Sequence, residues 1–167
     1  MARDDEYTAY VSARLTWLHK VAFLLCQDWT RADDLVQITI TRLYVHWRRA
    51  SAVDNLDGYT RTILVRVFLA EQRTGWRKRV TALRHLPDTA TIVADPDLAM
   101  DLRTALAALA PRQRAAVVLR FYCDLSIEQT ADVLSCSTGT VKSQTARALA
   151  ILRRDLAPAA RIGENLT

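Results

Sequence analysis

The side chains best suited to meeting another molecule are collected between residues 126 and 154. Ser126-Ile-Glu-Gln129 forms a capping box for a helix ending near Leu134, and Ser135 to Thr138 separate it from a last helix running to about Leu156. Two helices joined this closely make a helix-turn-helix pattern. On the last helix Val141, Thr145, Ala148, Leu149 and Leu152 share one face and pack inward, with small Ala131 where the two helices approach. Thr140, Ser143, Gln144 and Arg147 then point outward, and Lys142 lies at the margin. No acidic residue occurs from Val133 through Arg154, while Lys142, Arg147, Arg153 and Arg154 do. Hydroxyls, an amide and cations offered from a helix's N-terminal turns fit the base edges and phosphates of a major groove. A helical hairpin with a solvated basic face is the competing reading; the absence of acids favours DNA.

A second cationic set runs from Arg61 to Arg84. Arg61, Arg66, Arg73, Arg77, Lys78, Arg79 and Arg84 face a single acid, Glu71, and Trp76 sits among them. Cations that track phosphates beside an aromatic suit single-stranded or opened DNA. Alternatively this is a solvated helix end, with Trp76 capping the core. A third set has the opposite sign: Asp33-Asp34-Leu35-Val36-Gln37 puts two carboxylates in a helix's first turn, which alone is favourable helix-start electrostatics. His19, His46 and His85 pair with no cysteine at metal-ligand spacing, so no metal or cofactor is expected. No P-loop, GxGxxG or GxSxG occurs, which argues against an independent catalyst. Cys136, in the turn, reads as a small buried apolar group.

Helices must hold these sets in place. Tyr7, Val11, Leu15, Leu18, Val21, Ala22 and Leu25 make one stripe over residues 7–27. A second helix is expected to open at Thr30, with Asp33 as its capping-box partner, and to continue through Leu35, Val36, Thr39, Leu43 and Trp47. Arg48 to Asp57 reads as a loop, and Asp54 as the cap of a third helix through Tyr59, Ile63, Val67 and Ala70 towards Trp76. Near residues 85–97 two proline-containing breaker clusters, His85-Leu-Pro-Asp88 and Ala94-Asp-Pro-Asp97, end the periodicity. No Arg or Lys falls between Arg84 and Arg103, so this is an acidic linker. Leu98, Leu102, Ala105, Leu106 and Leu109 begin the second half, and Pro111 opens a helix through Val117, Val118 and Phe121.

The bulk properties agree with two small helical domains. The 167 residues (18.8 kDa) are 50% hydrophobic and 25% charged, which excludes a disordered chain or a fibre. Only 4 Gly and 4 Pro occur, too few for the turns of a many-stranded sandwich. The net charge of +5 points to a polyanionic partner. Cys26, Cys123 and Cys136 are scattered, as suits a reducing cytoplasm. No apolar run approaches the ~18 residues of a membrane span, and the polar Met1 to Glu6 is unlike a signal peptide. The expectation is an all-α, cytoplasmic protein.

Taken together, Ala32-Asp-Asp-Leu-Val-Gln37, the basic helix end, the linker, Leu109-Ala-Pro-Arg-Gln-Arg114 and Gly139-Thr-Val-Lys-Ser143 resemble a bacterial sigma factor. The similarity is to the extracytoplasmic-function (ECF) group of the sigma-70 family. The string from Gly139 to Leu149 looks like its actinobacterial SigE-type subgroup. The resemblance implies a σ2-like helix bundle over 1–80, a linker over 81–97, a σ4-like helix-turn-helix domain over 98–157 and a tail over 158–167. It implies binding to core RNA polymerase (β′ and β subunits) through Asp33, Asp34, Leu35, Gln37 and Arg42. The −10 element would be met by Arg48, Arg49, Asn55, Arg61, Arg66, Arg73, Trp76, Arg77 and Lys78, with a flipped base held by the loop from Arg48 to Gly58. The −35 element would be read as duplex by Thr138, Thr140, Lys142, Ser143, Gln144 and Arg147. The apolar and basic surfaces of both domains are plausible anti-sigma factor targets.

The chain departs from the family pattern at three places. Ile38 stands where Glu commonly follows the Asp-Leu-Val-Gln motif, Arg66 stands near a usual Asn, and Ser135 replaces the usual turn Gly. A left-handed residue at Ser135 would cost about 1 kcal/mol. A stand-alone helix-turn-helix regulator is the alternative function. Such a regulator needs one DNA surface and a dimer seam; this chain offers two basic surfaces and no seam.

Overall fold

The structure, a computed structural model, describes residues 1–74 and 96–164, and side chains over 1–74 and 100–157. The described residues contain helices and no strand. They divide into two compact units, Met1–Asp88 and Thr89–Thr167. The expected linker falls outside the described residues up to residue 95; its last two residues, Pro96 and Asp97, already belong to a helix.

The first unit contains α1 (Ala2–Cys26), α2 (Trp29–Val45), the single turn α3 (Trp47–Ala50) and α4 (Leu56–Arg73). Helix α1 starts before the apolar stripe, with Asp4 and Asp5 in a first turn that favours carboxylates. It ends at Gln27, whose φ of 60° is left-handed. That turn leaves Asp28 extended, and its carboxylate accepts from the Arg31 N–H at 3.2 Å. Asp28, and not Thr30, therefore caps α2. Asp33 is engaged elsewhere, 2.9 Å from Nε2 of His19 on α1.

Leu35, Val36, Thr39 and Leu43 bury one face of α2. The polar Thr39 is satisfied there by donating to the Leu35 carbonyl at 2.8 Å. Trp47, expected on α2, instead begins α3; with Ala50 it joins Val11 and Leu43 in a core lined by Tyr7, Tyr10 and Leu56. The expected loop from Arg48 to Asp57 is thus shorter, covering residues 51–55. The cap of α4 is Asn55 rather than Asp54, because the Asn55 side-chain oxygen reaches the Gly58 N–H at 2.9 Å.

The second unit contains α5 (Pro96–Ala107), α6 (Pro111–Val117), a π-helical turn (Val118–Tyr122), α7 (Ile127–Leu134) and α8 (Thr138–Glu164). Pro96 and Pro111 each stand at a first helical position, where a missing N–H costs nothing. Buried Arg114 donates to the carbonyls of Leu106 at 2.8 Å and Leu109 at 3.0 Å, closing the end of α5. Helix α8 packs on α5, α6 and α7 and extends well past Leu156. Two expected core residues are outside: Leu102 is exposed, and Phe121 is 56% exposed. The π turn widens the helix at residues 118–122, so a stripe counted at α-helical spacing from Val117 misplaces Phe121.

Candidate nucleic-acid interface

The turn between α7 and α8 is fixed at both ends by local chemistry. Ser126 Oγ accepts from the Gln129 N–H at 3.0 Å while Gln129 Oε1 accepts from the Ser126 N–H at 2.9 Å, the expected capping box. Helix α7 stops at Ser135, which adopts φ 52° and ψ 49°, the strained left-handed conformation. Ser137 Oγ then accepts from the Thr140 N–H at 3.1 Å and lies 2.9 Å from Thr140 Oγ1. Cys136 is half-buried between them, more accessible than a buried apolar group would be.

From this start α8 turns Val141, Ala148 and Leu152 into the core. Thr138, Thr140, Lys142, Ser143 and Arg147 are exposed, and Gln144 is half-buried. The outward face therefore carries the expected side chains. Ser143 and Arg147 stand one helical turn apart on it. Thr140 differs from its neighbours in that its hydroxyl already has Ser137 as a partner.

In the first unit, Arg48 and Arg49 are exposed on α3, and Arg66 and Arg73 are exposed on α4. Arg66 and Arg73 stand seven positions apart, which puts them on one helix face, while Arg61 is turned roughly 120–140° away from them at about 100° per residue. Arg61 is half-buried, with its Nε buried and without a hydrogen bond. Trp76, Arg77 and Lys78 lie outside the described residues. On α2, Asp33, Asp34, Gln37 and Arg42 are exposed, but Leu35 is 1% exposed and faces the core. Leu35 therefore cannot present itself to a partner. Exposed Ile38 and Val45 complete that outer face instead; Val45 escaped the sequence reading because it ends the helix, beyond the motif.

Sequence reasoning also missed a polar cluster at the start of α4. Asp57 Oδ1 accepts from Arg14 Nε at 2.8 Å and from the Tyr10 hydroxyl at 2.9 Å, and that hydroxyl lies 3.0 Å from Thr60 Oγ1. Burial alone would raise the Asp57 carboxyl; the bonds from Arg14 and Tyr10 and the charges of Arg14 and Arg61 outweigh it and hold the group below the usual carboxylate value. Burial pushes the Tyr10 hydroxyl up to about 12, with the bond to Asp57 and its charge adding, and Thr60 and Arg14 opposing. The partners are 43 and 47 residues apart in sequence, so no local pattern announces them. Among the described residues, no group of His, Cys, Asp and Glu could hold a metal.

Residues 10–78 match the family Sigma-70 region 2, and residues 99–152 match Sigma-70, region 4. The RNA polymerase sigma-E factor of Streptomyces coelicolor is 36% identical over 161 residues, spanning 90% of this chain and 86% of that protein. The chain belongs to the ECF sigma factors of the sigma-70 family. Another relative, the ECF RNA polymerase sigma factor EcfG of Rhodopseudomonas palustris, is 31% identical over 87% of this chain and 80% of its own. Among solved structures, the sigma factor RpoE of Bartonella quintana, crystallised with the anti-sigma factor NepR, superposes with a TM-score of 0.74 at 26% identity, covering 91% of this chain and 97% of that one. CnrH, in complex with the cytosolic domain of CnrY, shares the fold, with a TM-score of 0.64 at 20% identity over 93% of this chain and 90% of that one. No helix among the described residues of this sigma factor is long and apolar enough to cross a membrane.

Proposed function

We infer that this sigma factor works in the cytoplasm as a transcription initiation factor, directing core RNA polymerase to promoters by joining a −10 contact in the first unit to a −35 contact in the second. One observation carries the reading: from Thr138 through Arg154 the outer face of α8 carries no acid, with Val141, Ala148 and Leu152 buried behind it. Helix α8 enters the −35 major groove with Lys142, Ser143, Gln144 and Arg147 foremost, and the exposed turn at Thr138 and Thr140 lies at the phosphates. The −10 side uses Arg48, Arg49, the 51–55 loop with Asn55, and the Arg66 and Arg73 face of α4; Arg61 backs it from the side.

Core polymerase is bound by the outer face of α2, through Asp34, Gln37, Ile38 and Arg42, with Asp33 at its edge. Domain limits of 1–80 and 98–157 follow from the same reading. An anti-sigma factor is the natural inhibitor, since the solved sigma factor RpoE is held by such a partner. The decisive experiment adds the purified chain to core RNA polymerase and measures transcription from a library of promoters randomised at both elements. Transcripts should come from a defined subset of promoters. Output no more selective than that of core enzyme alone would refute the reading.

A further inference from the structure

We propose that Tyr10, Arg14, Asp57 and Gly58 are positioning residues that preset the 51–55 loop for reading a −10 base. This inference rests on the reading that the loop takes such a base. The loop is short and wholly exposed, with no side chain packed in a core, and its shape is set by bonds to the helices at its two ends.

At the front end, Trp47 and Ala50 are buried in the core with Val11 and Leu43, and the Ser51 N–H donates to the Trp47 carbonyl at 2.8 Å. At the back end, Asn55 folds over the first turn of α4. A Cβ on Gly58 would stand 2.6 Å from Asn55 Nδ2 and 2.9 Å from its Cγ, so any other residue there makes the amide shift from the position in which it caps the helix. With its Oδ1 held by Gly58, Asn55 keeps the Nδ2 group for an outside acceptor.

Asp57 sits between Asn55 and Gly58 in effect and in sequence. Its carboxylate, tied to Arg14 and Tyr10 on α1, pins the turn that carries the cap. Helix α1 therefore acts on the recognition loop through the turn at Asp57. Holding a loop in its bound shape beforehand spares the ordering cost at the moment of binding, and a loop held in one shape cannot repack around a wrong base, which sharpens discrimination.

The test reconstitutes holoenzyme with core polymerase and counts transcripts from a promoter library randomised through both elements. Asp57→Ala and Gly58→Ala should each flatten preference at one −10 position by roughly fivefold, the scale of one lost hydrogen bond. Preference at −35 and affinity for core polymerase should stay as in the wild type. Asp57→Asn, which keeps an acceptor oxygen for Arg14 and Tyr10, should recover part of the loss. A double variant in the loop itself, Val53→Ala with Asp54→Ala, separates the two levels of argument. If it flattens the −10 preference while Asp57→Ala and Gly58→Ala do not, positioning is overturned and the loop reading stands. If it leaves the −10 preference intact, the loop reading falls and the inference falls with it. Equal losses at −10, at −35 and in core affinity for Asp57→Ala would mark general destabilisation and likewise overturn positioning.

Discussion

Leu35 and Asp34 are neighbours in one motif, and replacing each in turn separates packing from polymerase binding. Leu35 is 1% exposed beside fully buried Val36 and Thr39, so Leu35→Ala leaves a cavity in a close-packed core. Such truncations cost about 2–5 kcal/mol. In a domain of this size, 1 kcal/mol moves Tm by about 4–8 °C, so even the smallest cost lowers the transition of the first unit by about 8 °C. Tryptophan fluorescence reads that transition alone, because Trp17, Trp29, Trp47 and Trp76 all fall within Met1–Asp88. Well below its lowered Tm, the Leu35→Ala protein should still bind core polymerase. Asp34→Arg should do the reverse. The side chain is exposed, so the change in stability should stay within about 0.5 kcal/mol while co-purification with core enzyme is lost. The reasoning is refuted if Leu35→Ala keeps the native Tm and loses polymerase, or if Asp34→Arg binds core enzyme as the wild type does.

Three further outcomes follow from the geometry. Arg147→Ala should relax preference at one −35 base pair if the guanidinium reads guanine, a contact worth about 1–3 kcal/mol; if it holds a phosphate, all sequences should weaken alike and the salt slope should flatten. Unchanged affinity and preference would mean that this face does not meet DNA. Ser135→Gly should raise the calorimetric transition of the second unit, since removing a left-handed penalty of about 1–2 kcal/mol outweighs the entropy of a glycine in the unfolded chain. For pH, the Asp57 carboxyl is lowered by folding, so its contribution is present above the unfolded value of 3.8 and fades as pH falls through the lower folded value. The stability gap between wild type and Asp57→Ala, measured in urea, should therefore close in acid; Tyr10 has the opposite sign, and its contribution should be lost as pH rises from 10 to about 12.

Much of this was legible in the sequence because one helix period carries both packing and function. The burial of Val141, Ala148 and Leu152 follows from spacing, and so does the outward face opposite them. The capping box at Ser126 and the left-handed Ser135 were also readable, since each rests on contacts within a few residues. The failures share a cause. Asp28 and Thr30, or Asp54 and Asn55, are all chemically able to cap a helix, and only the backbone angles before them decide. Phe121 was misplaced by a π turn that sequence spacing does not encode. Leu35 was drawn to the polymerase face by its motif although its spacing with Val36, Thr39 and Leu43 already put it inside. The Asp57 cluster joins two helices through contacts more than 40 residues apart, which no one-dimensional pattern reveals.

The backbone adds a constraint that ties these points together. Among the described residues, Gln27, Asp124 and Ser135 are the non-glycine residues with positive φ, and each stands one or two residues before a helix cap: Asp28, Ser126 and Ser137. Each costs on the order of 1 kcal/mol, which persists only where the surrounding packing demands that conformation. The demand is rotational. Starting α2 or α8 one residue later would turn every side chain about 100° around its axis, bringing Asp34 or Arg147 away from the surface and a core residue towards it. A left-handed residue followed by a side-chain cap fixes the starting residue in a way a flexible loop would not. Two of the helices that carry a proposed binding face, α2 and α8, begin in this manner, so there the strain and the caps at Asp28 and Ser137 serve the register on which recognition depends.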